Sequence, residues 1–356
     1  MSRSIYVCHT FYHVFVTCLK ELNKPKEERG KATLVLSTMS IKFGDLDVRA
    51  KASGLFEDVV WYDEKREDFF PELDKYRKDR GNIVSNMWNR ILLTKKFAKL
   101  QAPFVPVDFR QYDEVYVFCD QDPIGYYLNQ QHIRYHAVED GLDTLLTVDG
   151  ARTSNIGHFG LKLFFSEKLN LIFICNGHSK YCIDMEVNNI EKLKYKYYKY
   201  KEVPRNELIA KLTEEEEKIL VEIFVPNIDL LREQIRALDP TKDNILILTE
   251  PLCTLDVRER IFQDLLAEYS KEGNVFFKPH PRDELDYKTL FAQVPQFDAC
   301  VPMEILNFFR EVHFKKIVSV YTELGAIRFA DEKVRLSYEF MDKYEADDKH
   351  GQNRFI

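Results

Sequence analysis

The 356-residue chain reads as an α/β protein made of two Rossmann-like domains facing a cleft. Three observations predict this. Short apolar runs recur with helical patterns between them, the signature of a parallel sheet flanked by helices. The rhythm stops near residue 157 and resumes after "ALDPTKD", which divides the chain into 1–234 and 235–356 with an irregular segment over 157–234. The length, with 45% hydrophobic and 31% charged residues, suffices for two such domains or one large one.

The first five strands are expected at "SIYVC" (4–8), "ATLVLS" (32–37), "DVVWY" (58–62), "EVYVFC" (114–119) and "RYHAVE" (134–139). In the middle segment an aromatic stretch, a polar loop and a Lys/Tyr run precede the acidic "LTEEEEKILVEIF", a helix opened by Thr213. The second α/β unit then reads as "NILILT" (244–249), a helix near 256–270, "NVFFK" (274–278), and "KKIVSVY" (315–321) followed by another helix.

Composition narrows the function classes. A net charge of −7 argues against a general nucleic-acid binder. Seven scattered cysteines without C-x-x-C spacing read as reduced, mostly buried thiols of a cytoplasmic protein. The start lacks a signal-peptide pattern, and no apolar run approaches the roughly 20 residues that span a bilayer. A soluble protein, at most attached to the inner face of a membrane, is expected.

Three segments carry candidate chemistry. In "NVFFKPHPRD" (274–283), Pro279 and Pro281 fix their own φ and bias Lys278 and His280 toward extended backbone, so His280 sits on a stiff hook past a strand's carboxyl end. The plainer alternative is a rigid loop whose histidine faces solvent. In "YHAVEDGLDTL" (135–145), Glu139 and Asp140 crowd their charges at a strand terminus, which suits a general base. Here the alternative is a solvated turn with a helix cap at Asp143. In "VSVYTELGAIRFA" (318–330), Ser319 and Thr322 would place hydroxyls beside free amides at a helix start, where anions bind, although such caps also occur without ligands.

The "EDG" of 139–141, the "HP" of 280–281 and the Ser/Thr motif around 319–322, in that order, resemble the bacterial sialyltransferases with D/E-D/E-G and HP motifs, and most nearly glycosyltransferase family 52, the lipooligosaccharide sialyltransferases. "VPMEILNFF" (301–309) and "CHTFYH" (8–13) are similar to further segments of that family. The resemblance implies a GT-B fold and inverting, metal-independent transfer of sialic acid from CMP-sialic acid to a galactose-type hydroxyl of a cell-surface glycan, lipooligosaccharide or capsule. It implies Glu139 as general base with Asp140 as its neighbour, and His280 on the donor phosphate. Glu304 would hold the ribose, Ser319 and Thr322 the phosphate, with Lys278, Pro281 and Arg282 on the donor side and His9 and Thr10 on the acceptor side. No cofactor beyond the donor substrate is expected, and a homodimer is admitted. The sequence departs from the family in its leading Glu and in "SVYT" where relatives carry paired serines.

Rival readings remain. "VFCDQDP" (117–123) looks like the DxD of a metal-dependent GT-A transferase through Asp120 and Asp122, with "GDLDV" (44–48) a weaker match. The same aspartates can open a helix with Pro123 at its first turn. "KLKYKYYKYK" (192–201) suits a membrane or polyanion surface, or an edge strand protected by lysines. His9 and His13 suit metal binding, packing or acceptor contact, and His178 a loop near the acceptor.

Overall fold

The computed structural model describes residues 2–65, 70–141, 144–226, 228–325 and 327–344. The chain divides into two compact units between Glu216 and Glu217, inside the helix Glu214–Phe224 and N-terminal to the expected division at 234. The Thr213 cap forms as a reciprocal pair: Glu216 N donates to Thr213 Oγ1 at 3.3 Å, and Thr213 N donates to Glu216 Oε2 at 2.8 Å.

In the first unit, β1 (Ser4–Cys8), β2 (Ala32–Ser37), β3 (Phe56–Tyr62), β4 (Glu114–Phe118), β5 (Tyr135–Val138), β6 (Cys182–Val187) and β7 (Tyr200–Glu202) form one sheet in the order β3-β2-β1-β4-β5-β6-β7. Every neighbouring pair is parallel. All residues of β1 and β2 are buried, as a strand covered by helices on both faces requires. Ile5, Val7, Val117, Ala137 and Val187 pack with Ile124 and Leu128 of the helix Pro123–Gln130 in one apolar cluster. Chain order reverses between β1 and β4, and at such a switch point the strands' carboxyl ends open a crevice.

The middle segment is more regular than its sequence suggests, because β6 and β7 extend this sheet. In "CIDMEV", Asp184 Oδ1 lies 2.6 Å from His136 Nδ1 and Glu186 Oε2 lies 2.6 Å from Lys20 Nζ. The partners that make two acids tolerable in a strand are remote in sequence. The Lys/Tyr run is partly internal. Leu193 is buried, Tyr197 stacks on His178 with ring centroids 4.3 Å apart, and Lys199 Nζ donates to the carbonyls of Ser179 and Cys182, both at 2.8 Å. His178 is thus a buried packing residue rather than an acceptor-facing loop residue.

The second unit holds β8 (Asn244–Leu248), β9 (Asn274–Lys278), β10 (Phe314–Ser319) and β11 (Ala330–Arg335), parallel throughout in the order β11-β10-β8-β9. The helix Leu255–Tyr269 sets Ile261, Phe262 and Leu265 against Ile247, Val275, Phe277 and Val318. The helix expected after β10 does not form among the described residues, and β11, which was not expected, follows instead. All seven cysteines are free, and no helix among the described residues is long and apolar enough to cross a membrane.

Candidate active site

In the first unit the carboxyl ends of β1, β4 and β5 bring His9, His13, the loop Cys119–Asp122 and the pair Glu139–Asp140 together. Thr10 caps the helix Phe11–Leu22, accepting from His13 N at 3.3 Å. That turn places the His13 ring beneath Asp140. His9 N donates to His13 Nδ1 at 3.0 Å, so Nδ1 is the unprotonated nitrogen and Nε2–H is left to donate. It donates to Asp140 Oδ1 at 2.8 Å and to the Asp140 carbonyl at 2.7 Å. The ring stacks on Phe118, centroids 4.4 Å apart, and burial holds its pKa below the ordinary value. Cys119 Sγ donates to the same Oδ1 at 2.9 Å, and burial raises its thiol well above the usual range. The hydrogen bond from His13, opposed by partial burial, brings Asp140 down to about 2. Asp140 is therefore an oriented, ionised carboxylate whose side chain remains 43% exposed.

Glu139 is built the opposite way. Its carboxylate is buried and accepts Leu145 N at 3.0 Å on Oε1 and Asn188 N at 2.9 Å on Oε2. The geometry reverses the expected order of the pair: Asp140 faces outward, and Glu139 pins the short helix at Leu145 and the loop at Asn188 behind it. The alternative helix cap at Asp143 lies outside the described residues.

His9 is fully buried and unavailable to an acceptor. Its Nε2 lies 2.7 Å from Glu64 Oε2, and Glu64 also accepts Ser37 Oγ at 2.9 Å and Ile124 N at 2.7 Å. Burial works to lower the His9 pKa, but Glu64 outweighs it and leaves the ring above its ordinary value. Asp120, the first acid of the DxD-like stretch, is buried and accepts Asn176 N at 2.9 Å and Tyr135 OH at 3.0 Å. Burial pushes Asp120 up to about 6 and Asp122 up to about 7. With both Asp120 oxygens committed to protein donors, the two aspartates do not form an open carboxylate pair. The Asp120 carbonyl also passes so close to Gly125 that a Cβ there would lie 1.8 Å from it, which fixes glycine at that helix position. In "GDLDV", Asp45 pairs with Arg49 and Asp47 accepts Trp61 Nε1 at 2.9 Å. His9, His13 and Cys119 bring metal-competent atoms within 4.8 Å of one another; His9 Nε2, both His13 nitrogens and Cys119 Sγ are engaged with Glu64, the His9 amide and Asp140, while His9 Nδ1 is buried without a hydrogen bond.

In the second unit β8 lies between β9 and β10, and the residues after it tie their loops. Thr249 Oγ1 accepts His280 N at 3.1 Å. Arg282 N donates to His280 Nδ1 at 3.1 Å, so His280 also presents Nε2–H, while burial and then Lys278 and Arg282 lower its pKa. The hook is braced from below: Asp283 Oδ1 lies 2.5 Å from Arg258 Nη1, and Asp283 Oδ2 accepts Tyr287 OH at 2.8 Å. Pro281 and Arg282 are exposed.

Three donor-side expectations need correction. Lys278 is buried, its Nζ donating to the carbonyls of Pro279 at 3.0 Å and Ala299 at 2.9 Å; burial lowers its pKa to about 8, and its charge acts on half-buried Glu304. It joins the hook to the loop preceding Glu304 instead of reaching into solvent. Ser319 is buried and donates to the Thr322 carbonyl at 2.9 Å. The expected anion cradle is occupied, because Glu250 Oε1 accepts Thr322 N at 2.7 Å and its Oε2 accepts Tyr321 N at 3.0 Å. A carboxylate on those amides leaves no helix start there, and of Ser319 and Thr322 it is Thr322 that is exposed.

Sequence reasoning missed Glu64, Thr249 and Glu250 and left His13 undecided. The i, i+4 spacing of His9 and His13 behind the cap Thr10 is the signal that pointed to His13.

Comparison with known proteins agrees with this architecture. The chain is similar to an α/β-galactoside α-2,3-sialyltransferase of Photobacterium phosphoreum, with 12% identity, a TM-score of 0.50, and 93% of this chain and 90% of that one covered. A 2,6-sialyltransferase of Photobacterium sp., solved with CMP and lactose, matches with 10% identity and a TM-score of 0.53, covering 96% of this chain and 74% of that one. At these identities the likeness is one of fold, the GT-B class. An uncharacterized Haemophilus influenzae protein is 28% identical over 125 residues, 34% of this chain and 38% of that protein's length. The profile of glycosyltransferase family 52 matches residues 64–324, most of the chain, and the chain belongs to that family.

Proposed function

We propose that this protein is an inverting sialyltransferase that moves sialic acid from CMP-sialic acid to a galactose-type hydroxyl, with Asp140 as general base and His280 as the donor to the leaving phosphate. The observation that carries the reading is the contrast within the acidic pair: Asp140 is ionised, oriented by His13 and open, whereas Glu139 is buried under two amides. A carboxylate near 2 is a weak base. It suffices when the proton moves late, after the new C–O bond has made the acceptor oxygen strongly acidic. As the bond from the sugar to the phosphate oxygen breaks, CMP leaves as a phosphate monoester, and His280 Nε2–H meets the charge that develops. Because CMP carries one phosphate, the charge to be met is smaller than for a nucleoside diphosphate, and we infer that no metal is required.

Lys278, Ser319 and Glu250 act as positioning residues in this scheme, holding the loops that bear His280, Glu304 and Thr322. The acceptor is read as a cell-surface glycan such as lipooligosaccharide or capsule, handled on the cytoplasmic side of the membrane. Calorimetry with CMP, UDP and GDP in EDTA tests the donor: CMP is expected to bind alone, and tight UDP binding without a CMP response would overturn the sialyl assignment.

A further inference from the structure

A cavity of about 660 Å³ in the first unit adjoins the acidic site without belonging to it. Gln121, of the loop that carries Cys119 and Asp122, lines both the cavity and the crevice beside Asp140. Its walls come from the helix Ile83–Gln101, opened by Asn82, and from the segment leading into the helix Phe159–Glu167. A volume of this size takes a small ligand.

Four cations line it: Arg77 and Lys78 are exposed, Arg77 pairing with Asp74 at 3.0 Å, while Arg90 and Lys162 are half-buried. The polar contact of Arg90 is the Phe173 carbonyl at 3.4 Å. No carboxylate among the described residues pairs with Arg90, and burial lowers its pKa against the weaker upward pull of Tyr126 and Cys175. Lys162 donates to the Ile156 carbonyl at 2.9 Å, and its pKa is lowered by burial and by the charge of Arg90, so the two cations lie within electrostatic reach. Removing a guanidinium from water beside a like charge is unfavourable unless an anion completes the site. The acid at the rim, Asp79, uses Oδ1 to hold Gly81 N at 2.8 Å and Asn86 Nδ2 at 2.6 Å. The rim is mixed: Ile83, Ile156 and Leu161 are 65%, 83% and 49% exposed, and Arg77, Lys78, Asp79 and His158 are exposed beside them. A half-buried guanidinium with a second cation near it and three exposed apolar side chains at the rim matches an anionic head carried on a hydrocarbon, and a planar guanidinium is well suited to a phosphate.

We propose that this cavity binds the phosphate group of an amphiphile, with Arg90 and Lys162 on the phosphate and Ile83, Ile156 and Leu161 on its apolar portion. Its role as an acceptor subsite, receiving a glycan whose carrier bears that phosphate, rests on the transfer reading above; its role as a phosphate site does not.

Calorimetry on the whole protein tests it with dodecyl phosphate, dodecyl maltoside and inorganic phosphate, each below micelle-forming concentration. Dodecyl phosphate should bind at least about tenfold more tightly than either other probe, and Arg90→Gln and Lys162→Gln should each weaken it by about tenfold or more. Thermal melts and CMP affinity should be unchanged in both variants. If Arg90→Gln does not fold, Lys162→Gln decides alone. Equal binding of inorganic phosphate would replace the amphiphile by a free anion, equal binding of the maltoside would reduce the effect to apolar adsorption, and unaffected variants would remove the two cations; each overturns the proposal. Transfer to lactose by a protein that ignores dodecyl phosphate would sink this site alone, and dodecyl phosphate binding by a protein without transferase activity would sink the transfer reading alone.

Discussion

Replacing His13 by alanine removes the ring whose Nε2–H lies 2.8 Å from Asp140 Oδ1, the foremost cause of that carboxyl standing at about 2 instead of 3.8. A shift of that size corresponds to roughly 2.5 kcal/mol, and because the side chain is 43% exposed, solvent screening leaves about 1 kcal/mol, or roughly one pH unit. The partial burial that remains acts upward. The acid limb of kcat/KM should therefore move by roughly one unit, from about pH 3 in the wild type to about pH 4 in His13→Ala. Sialyl transfer to lactose between about pH 3.5 and 8 reads it directly. The variant also orphans the buried His9 amide, which costs about 1–3 kcal/mol of stability, so rates are normalised to the folded fraction. In the wild type the Asp140 contribution to stability is complete above 3.8 and is lost as pH falls toward 2. An acid limb that stays in place in folded His13→Ala protein would refute the claim that His13 sets the charge of Asp140.

Three further outcomes follow from the same geometry. Glu139→Gln replaces an acceptor of two amides and should lower stability by about 1–3 kcal/mol in urea unfolding while kcat of the folded protein changes little. His280→Ala should weaken CMP binding by about tenfold in calorimetry and lower kcat by roughly 10²-fold, since the Nε2–H contact strengthens as charge develops. Lys278 stands at about 8 in the fold against 10.5 in the unfolded chain, so between those values the unfolded state binds the extra proton and stability rises with pH, by roughly 3 kcal/mol in total. Urea midpoints from about pH 7 to 10 should show that rise in the wild type and not in Lys278→Met.

Continuous apolar runs in fully covered parallel strands made β1, β2, β8 and β9 readable, because both faces of each are buried and few polar residues interrupt them. β6 and β11 escaped for different reasons. In β6 the acids Asp184 and Glu186 are neutralised by His136 and Lys20, whose proximity no local pattern encodes, while β11 lies at the sheet edge with most of its residues exposed. The acidic pair after β5 was visible as chemistry but not as geometry. In a sheet covered on both faces, alternation does not say which of two adjacent acids turns inward; that is settled by the amides of Leu145 and Asn188, which engage Glu139. The stretch after β10 carried helix-like spacing, yet Glu250 takes the amides of Tyr321 and Thr322 and the chain leaves the strand extended. His280 was legible because its two prolines act locally, and the Arg282 amide completes what they begin.

Sialyl transfer from CMP-sialic acid to lactose, followed in EDTA for wild type, Asp140→Asn and Glu139→Gln, tests the central claim most directly. The account predicts an α-linked product from the wild type, a kcat reduced by roughly 10²-fold or more in Asp140→Asn with CMP affinity unchanged, and near-normal turnover in folded Glu139→Gln. Full activity in Asp140→Asn with loss in folded Glu139→Gln would contradict it.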